Sequence, residues 1–112
     1  MTELDLYGFK YRVLFDVSVD DHGISGEFRQ RRSEIAINPR VSKQEQEETL
    51  LHEIIEALNE FGCFDFEHET ISRLSHGLFQ IFKTNGIDFL SQILNSLDPF
   101  WQIIGTNWFK LN

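Results

Sequence analysis

Apolar residues recur at two different periods along this chain. Over residues 1–40 the spacing is short and partly alternating; over residues 42–96 it widens to the steps of a helix face. "FKYRVLFDVSV" is rich in aromatic and β-branched residues, which suit a pleated, half-buried surface. "DDHG" then predicts a turn. "ISGEFRQ" and "SEIAIN" predict further strands joined tightly through "RRS", with Ile35 and Ile37 alternating as a half-buried strand requires. Asn38-Pro39 ends that run, because proline holds the residue before it in extended or turn geometry.

Helices follow. Ser42 and Glu45 have the S-x-x-E spacing of a capping box, and the glutamates around them suit the positive end of a helix dipole. Leu51, Ile54, Ile55, Leu58 and Phe61 form an apolar stripe, and Gly62 is placed to cap its end. A second helix is expected over about His68 to Thr84, with Ile71, Leu74, Leu78, Ile81 and Phe82 as its stripe and Asn85-Gly86 as its stop. "IDFLSQILNSL" predicts a shorter third helix ending before Pro99. The aromatic tail over residues 98–112 fits either a strand or an extended segment packed on the body. The sum is an α+β fold: one domain over residues 1–112, with a small N-terminal antiparallel sheet of about three strands and then two to three helices covering it.

Composition agrees and narrows the function. The chain has 112 residues, 41% of them hydrophobic, and its eleven Phe, two Trp and two Tyr supply a core. No apolar run approaches the ~20 residues of a membrane span. The N-terminus "MTELDLYGFK" is acidic and mixed, unlike a secretory signal. The single cysteine, Cys63, has no partner for an internal disulfide, so a cytoplasmic setting is expected. The net charge of −8 argues against nucleic acid as ligand, since phosphate binding needs a basic footprint. The one basic run, "RQRR" at Arg29 to Arg32, reads as a solvated face.

The candidate chemistry lies in "TLLHEIIEALNEF". It begins like H-E-x-x-H, in which histidines one helical turn apart hold a metal and the intervening glutamate serves as base, but Glu56 stands where the second histidine belongs. His52 and Glu56 still share one helix face, and zinc accepts imidazole nitrogen and carboxylate oxygen alike. A third ligand must come from elsewhere, and His68, across the short loop, is the best placed. Glu53 would then act as the base. Asn59 or Glu69 would orient a ligand histidine, and His76 would serve beside them or as a donor to an oxyanion. Taken alone, H-E-x-x-E on an acidic helix reads first as a solvated face, and His22, His76 and Cys63 as ordinary structural residues.

Four segments, "GFKYRV", "GEFRQRRSEIAIN", "TLLHEIIEALN" and "LSHGLFQIFKTNG", carry a family resemblance over roughly residues 6 to 86. In their order and spacing the chain resembles small phage and prophage metallopeptidase-like proteins, related in outline to the ImmA/IrrE-like zinc peptidases. The resemblance implies a minimal zincin-like domain. It also implies two versions of one ligand set: H-E-x-x-H followed by an acidic residue at the next helix, or H-E-x-x-E followed by a histidine. This chain matches the second version with His52, Glu53, Glu56 and His68. The expected cofactor is Zn²⁺ and the expected partner a peptide or protein substrate. A rival expectation is a non-catalytic acidic phage protein that binds and inhibits a host defence or regulatory protein. Neither reading involves nucleic acid or a membrane.

Overall fold

A computed structural model of the chain describes residues 2–6, 8–62, 64–97, 101–104 and 107–110, with backbone alone for residue 2 and the last two segments. Strands β1 (Thr2–Leu6) and β2 (Phe9–Phe15) form a hairpin. Its turn contains Gly8 at φ 85°, a conformation that favours glycine, and the Gly8 N–H donates to Asp5 Oδ1 at 2.7 Å. Two 3-10 turns, Val17–His22 and Gln30–Arg32, flank β3 (Gly26–Arg29) and lead into β4 (Glu34–Ile37). The order across the sheet is β1-β2-β4-β3.

The α+β class expected from the sequence holds, but the sheet differs in detail. It has four strands and is mixed, because β4 pairs parallel with β2 and antiparallel with β3. The expected first strand stops at Phe15, where Asp16 accepts from the Ser18 N–H and caps a 3-10 turn in place of the simple "DDHG" turn. β4 does not alternate in exposure either: flanked on both edges, Glu34, Ile35, Ala36 and Ile37 are all buried. Glu34 is tolerated there because its register partners are Arg12 on β2 and Arg29 on β3, and both guanidiniums bind its carboxylate. The "RQRR" run is accordingly divided. Arg29 turns inward onto Asp16, Glu27 and Glu34, while Arg31 and Arg32 are exposed.

Helix α1 (Lys43–Phe61) packs on the sheet, burying Leu50, Leu51 and Ile55 against Tyr11, Val13, Ile35 and Ile37. Each such side chain contributes roughly 1.5–3 kcal/mol of burial. Ser42 caps the helix by accepting from the Glu45 N–H at 3.1 Å. The capping box is only half made, because the Glu45 carboxylate accepts from the Ser25 hydroxyl. Gly26 lets α1 approach closely: a Cβ there would lie 2.5 Å from Thr49 Cγ2 and 2.7 Å from the Ala36 carbonyl oxygen.

Helix α2 (His68–Thr84) lies beside α1, and α3 (Phe89–Ser96) contributes Leu90 and Leu94 to the same core. The α2 stripe holds in part. Ile71 is buried and Leu78 and Phe82 pack on the core as expected, joined by buried Ser75 and Phe79, whereas Leu74 and Ile81 are exposed. Asn85 and Gly86, the latter at φ 68°, end the helix as expected. In the tail, β5 (Trp101–Ile104) and β6 (Asn107–Lys110) pair antiparallel; how its side chains pack lies outside the described residues. Among the described residues no helix is long and apolar enough to cross a membrane.

Candidate metal centre

α1 carries His52, Glu53 and Glu56 within little more than one helical turn. His68 opens α2, so its position depends on how the chain leaves α1 and turns back. Asn59 controls part of that turn. Its side-chain oxygen accepts from the Phe66 N–H at 3.0 Å and its Nδ2 donates to the Phe66 carbonyl at 3.3 Å. The amide thus pairs with the backbone of the connecting loop as a strand would, two residues before His68. Phe64 and Phe66 stack at 5.3 Å over the same loop.

The turn brings His68 back to the first helix. Glu56 Oε2 lies 3.6 Å from His52 Nε2 and 3.5 Å from His68 Nδ1, and the imidazole centroids are 5.0 Å apart. One donor atom from each of the three residues lies within 4.8 Å of the other two. Zinc–ligand bonds of about 2.0–2.1 Å at tetrahedral angles place donor atoms about 3.3–3.4 Å apart. The two carboxylate–imidazole separations are close to that edge length, so this donor set fits zinc in chemistry and nearly in spacing. Exposure is graded across the cluster, with His52 at 17%, Glu56 at 29% and His68 at 75% of side-chain surface, so the cluster is open to solvent on the His68 side.

Burial is the main cause that lowers the His52 pKa; Glu56 opposes the shift and nearby His68 adds to it. The ring is therefore neutral at pH 7, with a lone pair free to ligate. Glu53, the next residue along α1, is 8% exposed. Burial, reinforced by Glu56 and Glu27, pushes its pKa up to about 7. A carboxyl poised there exchanges a proton readily near neutral pH.

His52, Glu53 and His68 border a groove of about 900 Å³. Its far wall is formed by Ile24, Ser25 and Gly26 at the start of β3, and its length by Glu45, Glu48 and Thr49 of α1 and Ser72 and Ser75 of α2. Sequence reasoning missed these wall residues. Glu48 and Glu45 stand one and two turns before His52, a helical spacing that marks them as its neighbours, but nothing local places β3 opposite.

The three supporting residues fare differently. Neither Asn59 nor Glu69 hydrogen-bonds a histidine ring among the described residues; Asn59 holds the loop, and Glu69 forms an exposed pair with Arg73 at 2.9 Å. His76 lies about two turns beyond His68, with Nδ1 3.5 Å from Glu48 Oε2. It is thus displaced from the three-residue cluster. Cys63 lies outside the described residues.

Comparison of the chain with family models, with curated proteins and with solved structures gave no significant match.

Proposed function

We propose that this chain is a zinc metallopeptidase-like protein. His52, Glu56 and His68 hold the metal, and Glu53 transfers protons during hydrolysis of a peptide bond. The observation that carries the reading is the convergence of these ligands from two helices beside a groove that Glu53 also faces. When bound, zinc supplies Lewis acidity for activating water and polarising a carbonyl. Glu53, its pKa pushed up to about 7 by burial, accepts a proton from water and returns it to the leaving amine. Its buried position keeps bulk solvent from competing for that proton. His52 contributes a neutral nitrogen, Glu56 an anionic oxygen that reaches both imidazoles, and the exposed His68 the rim at which substrate enters. The resemblance to phage metallopeptidase-like proteins belongs to this reading, as does a cytoplasmic setting.

The experiment is metal analysis of protein purified without chelator, alongside His52→Ala and His68→Ala. One zinc per chain is expected in the wild type and loss in both variants. A wild type without stoichiometric zinc, folding unchanged in EDTA, would sink the proposal. Hydrolysis is tested separately: Glu53→Gln should retain zinc and lose peptidase activity. The rival reading, an acidic protein that occludes a basic host surface, draws on the net charge of −8. A partner captured from host lysate in a salt-sensitive manner by protein that carries no zinc would favour it.

A further inference from the structure

Positive charge is scarce in this chain, with Lys and Arg numbering 10 against 18 Asp and Glu. Among the described side chains, every lysine and arginine but two faces a carboxylate or, for Lys43, the Asn95 amide. The exceptions are Arg31 and Arg32, which have no hydrogen-bond or ion-pair partner among the described residues although acids outnumber bases around them. They are adjacent and exposed, in the 3-10 turn that joins β3 to β4. Both line a concavity of about 550 Å³ with Ser18, Phe28, Arg29 and Gln30. Glu27 lines it too, but its carboxylate is held by Arg29. None of these residues borders the groove at the metal cluster.

The backbone supplies a second observation. Ser33 closes the turn at φ 52° and ψ 52°, and among the described residues it alone has a positive φ without being glycine. That conformation costs roughly 1–2 kcal/mol in a residue that carries a Cβ. The turn is nonetheless tied at both ends: the Ser33 N–H donates to the Gln30 carbonyl at 3.1 Å, and the Ser33 carbonyl accepts from the Arg12 N–H at 2.9 Å. Strain retained in a well-tied turn is a mark of functional positions. Here it sets two unpaired guanidiniums side by side at the mouth of a concavity.

We propose that Arg31 and Arg32 form a binding site for a phosphate monoester, free or carried on a phosphorylated side chain of a partner. Each guanidinium is a planar fork of donors that fits an oxyanion two bonds at a time. Two forks together match a group that is close to a dianion near neutral pH. The net charge of −8 repels anions at long range, so a ligand here must gain its binding from close, charge-dense contact. That requirement favours a phosphate monoester over a single carboxylate, and it works against a long polyanion such as nucleic acid. The site is independent of the peptidase-like reading and stands whether or not the His52–Glu56–His68 cluster holds zinc.

The test is a set of NMR titrations of the full-length protein at low salt, followed residue by residue through backbone amide shifts. The probes are inorganic phosphate, a hexapeptide with a central phosphoserine, and the same hexapeptide with serine or glutamate at that position. Both phosphate probes should shift the amides of the Arg29–Ser33 segment saturably, and the serine peptide should not. The Arg31→Ala/Arg32→Ala double variant should keep the rest of its spectrum and lose at least about tenfold in affinity. Arg31→Lys/Arg32→Lys keeps the charge but not the forks, and should lose about threefold or more. A phosphopeptide at least about tenfold tighter than inorganic phosphate assigns the site to a phosphorylated partner, and equal affinities assign it to the free anion. No saturable shift with either phosphate probe, shifts confined to the metal cluster, a glutamate peptide that binds as well as the phosphopeptide, or binding that survives in the double alanine variant would each overturn the inference.

Discussion

Arg29 shows what a single side chain does in this sheet. It lies 2.9 Å from Asp16 and 3.3 Å from Glu34, also binds Glu27, and is 14% exposed. Replacing it leaves Glu34 with one guanidinium and Asp16 with none, in a setting with little water to compensate. Arg29→Ala should therefore cost about 3 kcal/mol, read from urea unfolding at neutral pH. Asp16 adds a pH dependence. Burial acts to raise its pKa, but hydrogen bonds from Ser18 and Arg29 together outweigh burial and hold it below the usual carboxylate value. A depressed folded pKa gives stability that is present above the unfolded value of about 3.9 and is lost as pH falls through the folded one. Asp16→Asn should lower stability at neutral pH and flatten that acid limb in a series of urea titrations. The sequence showed a basic run here. It did not show that Arg29 and Arg12 both face Glu34, because cross-strand register joins residues that are far apart in the chain.

Among the elements, α1 was the more legible and α2 the less. Ser42, the glutamate-rich start and the apolar spacing define α1 to within a residue. In α2 two apolar stripes coexist, one through Leu74 and Ile81 and one through Ile71 and Phe79, and local periodicity cannot choose between them. Packing chooses the second. Small Ser75 sits in the seam, its hydroxyl donating to the Ser72 carbonyl at 3.0 Å, and allows close contact there. Phe79→Ala should cost about 3–5 kcal/mol and Leu74→Ala less than about 1 kcal/mol, compared by chemical denaturation. The same phase presents His68 to α1, and Asn59 fixes the loop that delivers it. Asn59→Ala should weaken zinc binding about tenfold while lowering stability by only about 1 kcal/mol, measured by competition with a chromophoric chelator and by thermal melting.

For the molecule as a whole, the α+β class was readable because the change of hydrophobic period divides the chain into sheet and helices. The parallel pairing of β2 with β4 was not, since β3 and two 3-10 turns intervene and no short-range signal announces it. The grouping of His52, Glu56 and His68 was legible from residue type and spacing, and the structure brings the three side chains together as a candidate site. The groove was not legible, because its walls come from three elements whose closeness depends on Gly26. Gly26→Ala forces a Cβ onto Thr49 and the Ala36 carbonyl, and should destabilise by about 1–3 kcal/mol. A metal bridging α1 and α2 would act at the same scale. Zinc at a hundredfold its Kd should add about 2.7 kcal/mol, seen as a higher melting temperature that EDTA reverses.

The strand order also sets a timetable. β4 occupies the centre of the sheet, yet both of its neighbours precede it in the chain, so the last strand of that sheet to leave the ribosome closes it. At that moment Tyr11, Val13, Ile35 and Ile37 have no cover, because α1 has yet to leave the exit tunnel. A nascent chain that has emerged only as far as Pro39 would display a finished sheet with one oily face, a natural client for a ribosome-associated chaperone until the first helix arrives.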